Sequence, residues 1–225
     1  MHIEPGIVDG AKIALSYVTA AGVGTYALAT AWRHLKDRGV TSMAMGTVAT
    51  TAMVLVFFEV LPHFPVGVSE VHLILGSTLF LLFGAAPAAF GLALGLLIQG
   101  MMLSPFDLPQ YGMNVTTLLV PLFALQFVAA RTIAPHTRYT ALRYRQVFAL
   151  SATYQAGIVS WVTFWALYGA GFSAETLSSI ATFGAAYALV IVAEPLVDLA
   201  VLAAAKSAER LGEQGWLEPR LFNPA

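Results

Sequence analysis

Apolar runs of about 20 residues follow one another along almost the whole chain, divided only by short polar connections. A run of that length spans a hydrocarbon core of roughly 30 Å as a helix. Inside lipid, each backbone N–H and C=O must be satisfied within the protein, which leaves helices as the spanning element for runs this long. Composition agrees: 58% of the 225 residues are hydrophobic and 10% are charged. Soluble domains carry about 25% charged residues, so too few ionic groups exist here to cover a water-facing surface. The chain therefore reads as an all-α polytopic membrane protein whose surroundings are a lipid bilayer. A net charge of −1 decides nothing about partners, none of which is expected to be a nucleic acid, and the absence of cysteine excludes thiolate metal sites and thiol nucleophiles. The start of the chain has no basic n-region and reads as something other than a signal peptide.

About seven spans are expected, over residues 7–32, 42–61, 71–83, 86–103, 114–134, 147–168 and 177–205. The third is short. No soluble linker or internal repeat separates them, so residues 1–225 are expected to form a single transmembrane domain, with a cytoplasmic tail from about 206 to 225. Charge placement orients the spans. Arg33, Lys36 and Arg38 follow the first, Arg131, Arg138, Arg143 and Arg145 separate the fifth from the sixth, and Lys206, Arg210 and Arg220 follow the last. Positive charge marks the cytoplasmic face. The N-terminus is thus expected outside and the C-terminus inside a bacterial-type inner (plasma) membrane.

In that orientation His34 and His136 lie in cytoplasmic loops, while His2, His63 and His72 belong to the external side. The first two residues, Met1 and His2, offer three nitrogens in fused chelate rings: the α-amine, the His2 amide once deprotonated, and the His2 imidazole. One further histidine would complete a planar set of four, the arrangement preferred by Ni(II) and Cu(II) and open to Co(II). Such binding displaces protons and weakens in acid. The alternative is that His2 is an accident of a disordered terminus.

Three motifs, MHIEPG at the start, SEVHL before the third span and YGMNVTTL leading into the fifth, resemble the substrate-binding component of cobalt/nickel energy-coupling-factor transporters, the CbiM/NikM family. The resemblance covers residues 1–130 by motif and the whole chain by span number. It implies a metal held by the Met1 amine, by the His2 amide and imidazole, and by His72. Residues 1–8 would dip into the bundle as a plug, Asn114 would line or brace the pocket, and Ser69 would shape the loop. Ni(II) or Co(II) would be the transported substrate. A transmembrane coupling protein and cytoplasmic ATPases would supply the energy. The chain departs from the family's acid-Gly turn, having Pro5-Gly6 with the acid at Glu4, and residues beyond 131 carry no recognised family motif.

Other polar residues have plainer expectations. His63 is separated from Glu59 by Pro62, which ends the helix, and is expected either at the loop surface or as an additional ligand. Glu194 and Asp198 share one helix face and are expected to pair with an arginine of the 131–145 loop, a role in the transport path being the alternative. Gln99, Gln126 and Gln155 are expected to bond across helices. Ser16, Ala20 and Gly24 form a small-residue stripe suited either to internal packing or to docking the coupling protein. No HExxH or GxSxG motif is present and no Lys lies in mid-span seven, so neither an enzyme nor a retinal-type photoreceptor is expected. The alternative to the substrate-capture component is a solitary metal-ion transporter or channel working without an ATPase.

Overall fold

The structure, a computed structural model, describes residues 3–213. Among the described residues, six α-helices carry the fold: α1 (Ile13–Glu59), α2 (Gly76–Phe83), α3 (Ala85–Met102), α4 (Tyr111–Thr132), α5 (Tyr144–Ala170) and α6 (Ala174–Glu213). Helix α1 packs along α3, α4 bridges α1, α3 and α5, and α5 packs on α6. Their shared core includes Phe58, Leu79, Met113, Tyr154, Trp165, Phe183 and Tyr187. The chain is an all-α membrane protein in its architecture. The last four expected spans correspond to α3, α4, α5 and α6.

The expected count of seven spans is not reproduced, since among the described residues five helical stretches are long and apolar enough to cross a membrane. The first stretch, Gly10–Glu59, is 50 residues long and holds the first two expected spans, and the connection at 33–38 between them, expected as a loop, is helical. Arg, Leu and Lys there are good helix formers. The break comes at Gly39, whose φ of 81° and ψ of 171° interrupt α1 between segments 13–38 and 40–59. Glycine reaches that conformation without a Cβ clash. The expected third span is the other difference. Helix α2 has eight residues, about 12 Å at 1.5 Å per residue, too short to cross the hydrocarbon on its own.

The sequence before α2 forms a small β unit that the apolar pattern does not announce. Strands β1 (Phe64–Val66) and β2 (Ser69–Val71) pair antiparallel, with Phe64 opposite Val71 and Val66 opposite Ser69. Gly67, at φ 64°, turns the hairpin. A third extended segment joins its other edge: Ile3 bridges to Ser69, and the Glu4 N–H donates to the Val68 carbonyl at 3.2 Å. The segment from Ile3 is thus folded back onto the hairpin. Ile3 and Val8 are buried in the main core, and the Lys12 ammonium donates to the Gly169 carbonyl at the C-terminal end of α5 at 2.6 Å.

Candidate metal centre

The expected site residues Met1 and His2 lie outside the described residues. What is described begins with Ile3, fully buried, whose N–H donates to Asn114 Oδ1 at 2.8 Å. Asn114 stands in the first turn of α4 and is 1% exposed. A carboxamide oxygen only accepts, so the helix offers a fixed acceptor to the backbone at residue 3. On the opposite side the same residue is tied to Ser69, itself buried. The fold therefore brings together the segment at residue 3, Asn114 and the strand that leads to His72.

His72 is 3% exposed. Its ring packs edge-on against Phe58, with centroids 4.7 Å apart. Its Nδ1 lies 3.0 Å from the Leu73 carbonyl oxygen. A carbonyl cannot donate, so Nδ1 carries the proton in this bond and Nε2 is left with the lone pair. A second hydrogen bond of this kind is what normally fixes the tautomer and plane of a metal-ligating histidine. His63, at the other end of the hairpin, differs. Its side chain is 42% exposed, and its Nδ1 is 3.9 Å from Glu70 Oε1. Helix α1 ends at Glu59, before Pro62. Among the described residues, no three His, Asp or Glu side chains converge on one point.

The acidic pair of α6 departs from expectation. Neither Glu194 nor Asp198 meets an arginine of the 131–145 loop; Arg138 of that loop pairs with Glu209 at 3.1 Å. Glu194 Oε1 accepts from the N–H groups of Ile74 and Leu75, the latter at 3.0 Å, and its Oε2 accepts from Gln155 Nε2. Asp198 accepts from the Ser77 hydroxyl at 2.5 Å and from the Thr78 hydroxyl. The physical reason is burial. Glu194 is 0% and Asp198 1% exposed, and a carboxylate inside a helical bundle needs donors beside it. The bent entry to α2 supplies them, whereas the arginines stay in water. Tyr139, in the connection between α4 and α5, feels Asp198: burial and then that carboxylate push its phenol up to about 12. Spacing alone showed that the two acids share a face, but not that their donors come from a segment 120 residues earlier.

Two of the three glutamines bond across helices. Gln99 Nε2 donates to Glu59 Oε1 at 2.5 Å, and Gln155 links Glu194 to the Tyr187 hydroxyl, which donates to its Oε1 at 2.6 Å. Gln126 Oε1 is buried without a partner among the described residues. The small-residue stripe divides. Ser16 is buried, and a Cβ placed on Gly112 of α4 would come within 2.8 Å of its hydroxyl. Ala20 and Gly24 instead line an apolar groove of about 420 Å³ with Ala89, Phe90 and Tyr111.

A family model described as the cobalt uptake substrate-specific transmembrane region, CbiM, matches residues 2–210. Among solved structures, a transition metal transporter superposes with a TM-score of 0.62 at 18% identity, over 99% of this chain and 100% of that one. A truncated transition metal transporter gives a TM-score of 0.58 at 17% identity, over 91% of this chain and 96% of that one. At such identities the likeness is one of fold. No curated protein matches the chain by sequence.

Proposed function

The chain belongs to the CbiM family, the cobalt uptake substrate-specific transmembrane region, and on that premise we propose that it is the membrane-embedded capture component for uptake of Ni(II) or Co(II). The observation that carries the reading is the double hold on residues 3 and 4, by Asn114 Oδ1 accepting from the Ile3 N–H at 2.8 Å and by the Val68 carbonyl accepting from the Glu4 N–H at 3.2 Å where Ile3 bridges to Ser69. A chain that starts at Met1 then has its amine, its His2 amide and its His2 imidazole within two residues of that hold, and Ser69 is three residues from His72. In this reading the Met1 amine, the His2 amide nitrogen and the His2 imidazole take three positions of a plane. His72 Nε2 takes the fourth. Deprotonating the amide puts one negative charge beside the dication and favours the planar ligand field of Ni(II).

Asn114 then acts as a brace and Ser69 as part of the wall. His63, exposed on the outer flank of the hairpin, stays outside the four-nitrogen set. Residues 1–8 form the plug, and the site faces the exterior because the basic connections mark the cytoplasmic side. Release is left to a transmembrane coupling protein and cytoplasmic ATPases, for which the groove beside Ala20 and Gly24 is the proposed contact.

Calorimetry of the full chain in detergent tests the reading. One Ni(II) or Co(II) is expected per chain, with protons released. Affinity should fall as pH drops from about 8 to 6, because the α-amine, with an ordinary value near 7.7–8.0, takes up a proton and loses its lone pair. A chain that binds neither ion contradicts the proposal.

A further inference from the structure

Helix α2 begins under strain. Leu75, the residue before it, has φ 54° and ψ 32°, a left-handed conformation that is unfavourable for a residue with a side chain. Such a bend persists only where its surroundings hold it. Eight residues of helix do not hold themselves, since nucleation outweighs the few internal bonds. The support comes from α6. Glu194 accepts the N–H groups of Ile74 and Leu75, the two that flank the bend, and Asp198, one turn further along α6, accepts the hydroxyls of Ser77 and Thr78. From the other side Tyr154 of α5 presses on Gly76, where an added Cβ would fall 2.2 Å from its ring.

Both carboxylates are buried, and among the described residues no Lys, Arg or His lies within ion-pair distance of either. The titratable groups near them are the phenols of Tyr139, Tyr154 and Tyr187. Two acids placed in a bundle without a cation are expensive, and a neutral cap could have finished a short helix. The geometry of one peptide group gives the Glu194 side chain a second task beyond capping. The N–H that Ile74 gives to Glu194 and the C=O that accepts from His72 Nδ1 belong to the same planar unit, the Leu73–Ile74 peptide. A planar amide cannot turn one end without the other.

We propose that Glu194 is a positioning residue for the metal site, acting on His72 through the Leu73–Ile74 peptide. The relay runs from the carboxylate to the Ile74 N–H, across the peptide to the Leu73 oxygen, and from there to the His72 Nδ1–H, so that Nε2 is held toward the metal. Metal sites commonly place a carboxylate or a carbonyl behind a ligating histidine; here the two stand in series. Gln155, held in turn by the Tyr187 hydroxyl, keeps the second carboxylate oxygen in place. The inference rests on the capture role proposed above and adds the part of α6 that serves it.

The test uses the full chain in detergent and Ni(II) alone, read by calorimetry and by the absorption of the bound ion. Glu194→Ala is expected to weaken binding 10- to 100-fold, the usual range for a partner behind a ligand, and to shift the Ni(II) spectrum. Glu194→Gln keeps an acceptor for both N–H groups once Gln155 turns its amide, and is expected to stay within about threefold of wild type. In a His72→Ala background, Glu194→Ala should add less than about twofold, since the relay has lost its end. If Glu194→Ala does not fold, Glu194→Asp, one methylene short of the Ile74 N–H, is expected to show the weakening and the spectral shift together. Wild-type affinity and spectrum in the folded Ala or Asp variant would overturn the relay, as would a full additional loss in the His72→Ala background. A wild-type chain that fails to bind Ni(II) would contradict the capture role instead.

Discussion

Ile3, Ser69, His72, Asn114 and Glu194 are all between 0% and 3% exposed, and the bonds that hold them join the segment at Ile3, the hairpin, α4 and α6. The connection between α4 and α5 is built the other way. Arg138 meets Glu209 at 3.1 Å with its own side chain 80% exposed. Water does for the second region what neighbours must do for the first. A solvated ion pair is worth about 0–1 kcal/mol, whereas a buried polar group left without its partner costs about 1–3 kcal/mol. The polar groups of the first region are therefore interdependent, those of the second are replaceable, and substitutions should separate the two sharply.

His72→Ala should produce the largest effect. Loss of one nitrogen in four removes roughly a quarter of the 10–16 kcal/mol typical of a four-ligand zinc site, or about 3 kcal/mol, so Kd for Ni(II) should rise more than about a hundredfold in calorimetry of a folded chain. Asn114→Ala comes next. It leaves the Ile3 N–H buried without an acceptor, and metal affinity should fall about 10- to 100-fold, with Asn114→Asp restoring most of it because a carboxylate oxygen accepts the same bond. His63→Ala should change Kd by less than about tenfold, or 1.4 kcal/mol; a larger loss would bring His63 into the ligand set and blur the contrast between the two flanks of the hairpin. Arg138→Ala is the smallest: thermal unfolding should register less than about 1 kcal/mol, with no change in metal affinity.

Much of the scaffold is legible in the sequence because hydrophobic runs are long and α3 to α5 follow them to within a few residues, whereas α6 continues to Glu213, past the expected end of its span at 205 and into the expected tail. What is not legible has local causes. Gly39 breaks α1 after a basic stretch that composition alone assigns to a loop, although its residues are good helix formers. The hairpin is three residues per strand, too short for alternation to show, and its one signal is a glycine at the first turn position. At the candidate site His72, Asn114 and Ser69 could be singled out by resemblance, and the fold buries all three. Glu194 could be singled out by its burial cost but not matched to its donors, since backbone N–H groups carry no mark in a sequence. The bend at Leu75 exposes them, and only the packing of α6 against it reveals the bond.

Met1 and His2 are proposed to form the binding site themselves, and position tests this more directly than side-chain identity. Adding one glycine before Met1 converts the α-amine into an amide and moves the new amine out of the fused chelate rings, while His2 keeps its imidazole. Ni(II) calorimetry and absorption of the extended chain, beside His2→Ala, give the measurement. The extension is expected to weaken binding nearly as much as His2→Ala and to remove the spectrum of a planar four-nitrogen ion. An extended chain that binds Ni(II) with wild-type affinity and spectrum would contradict it.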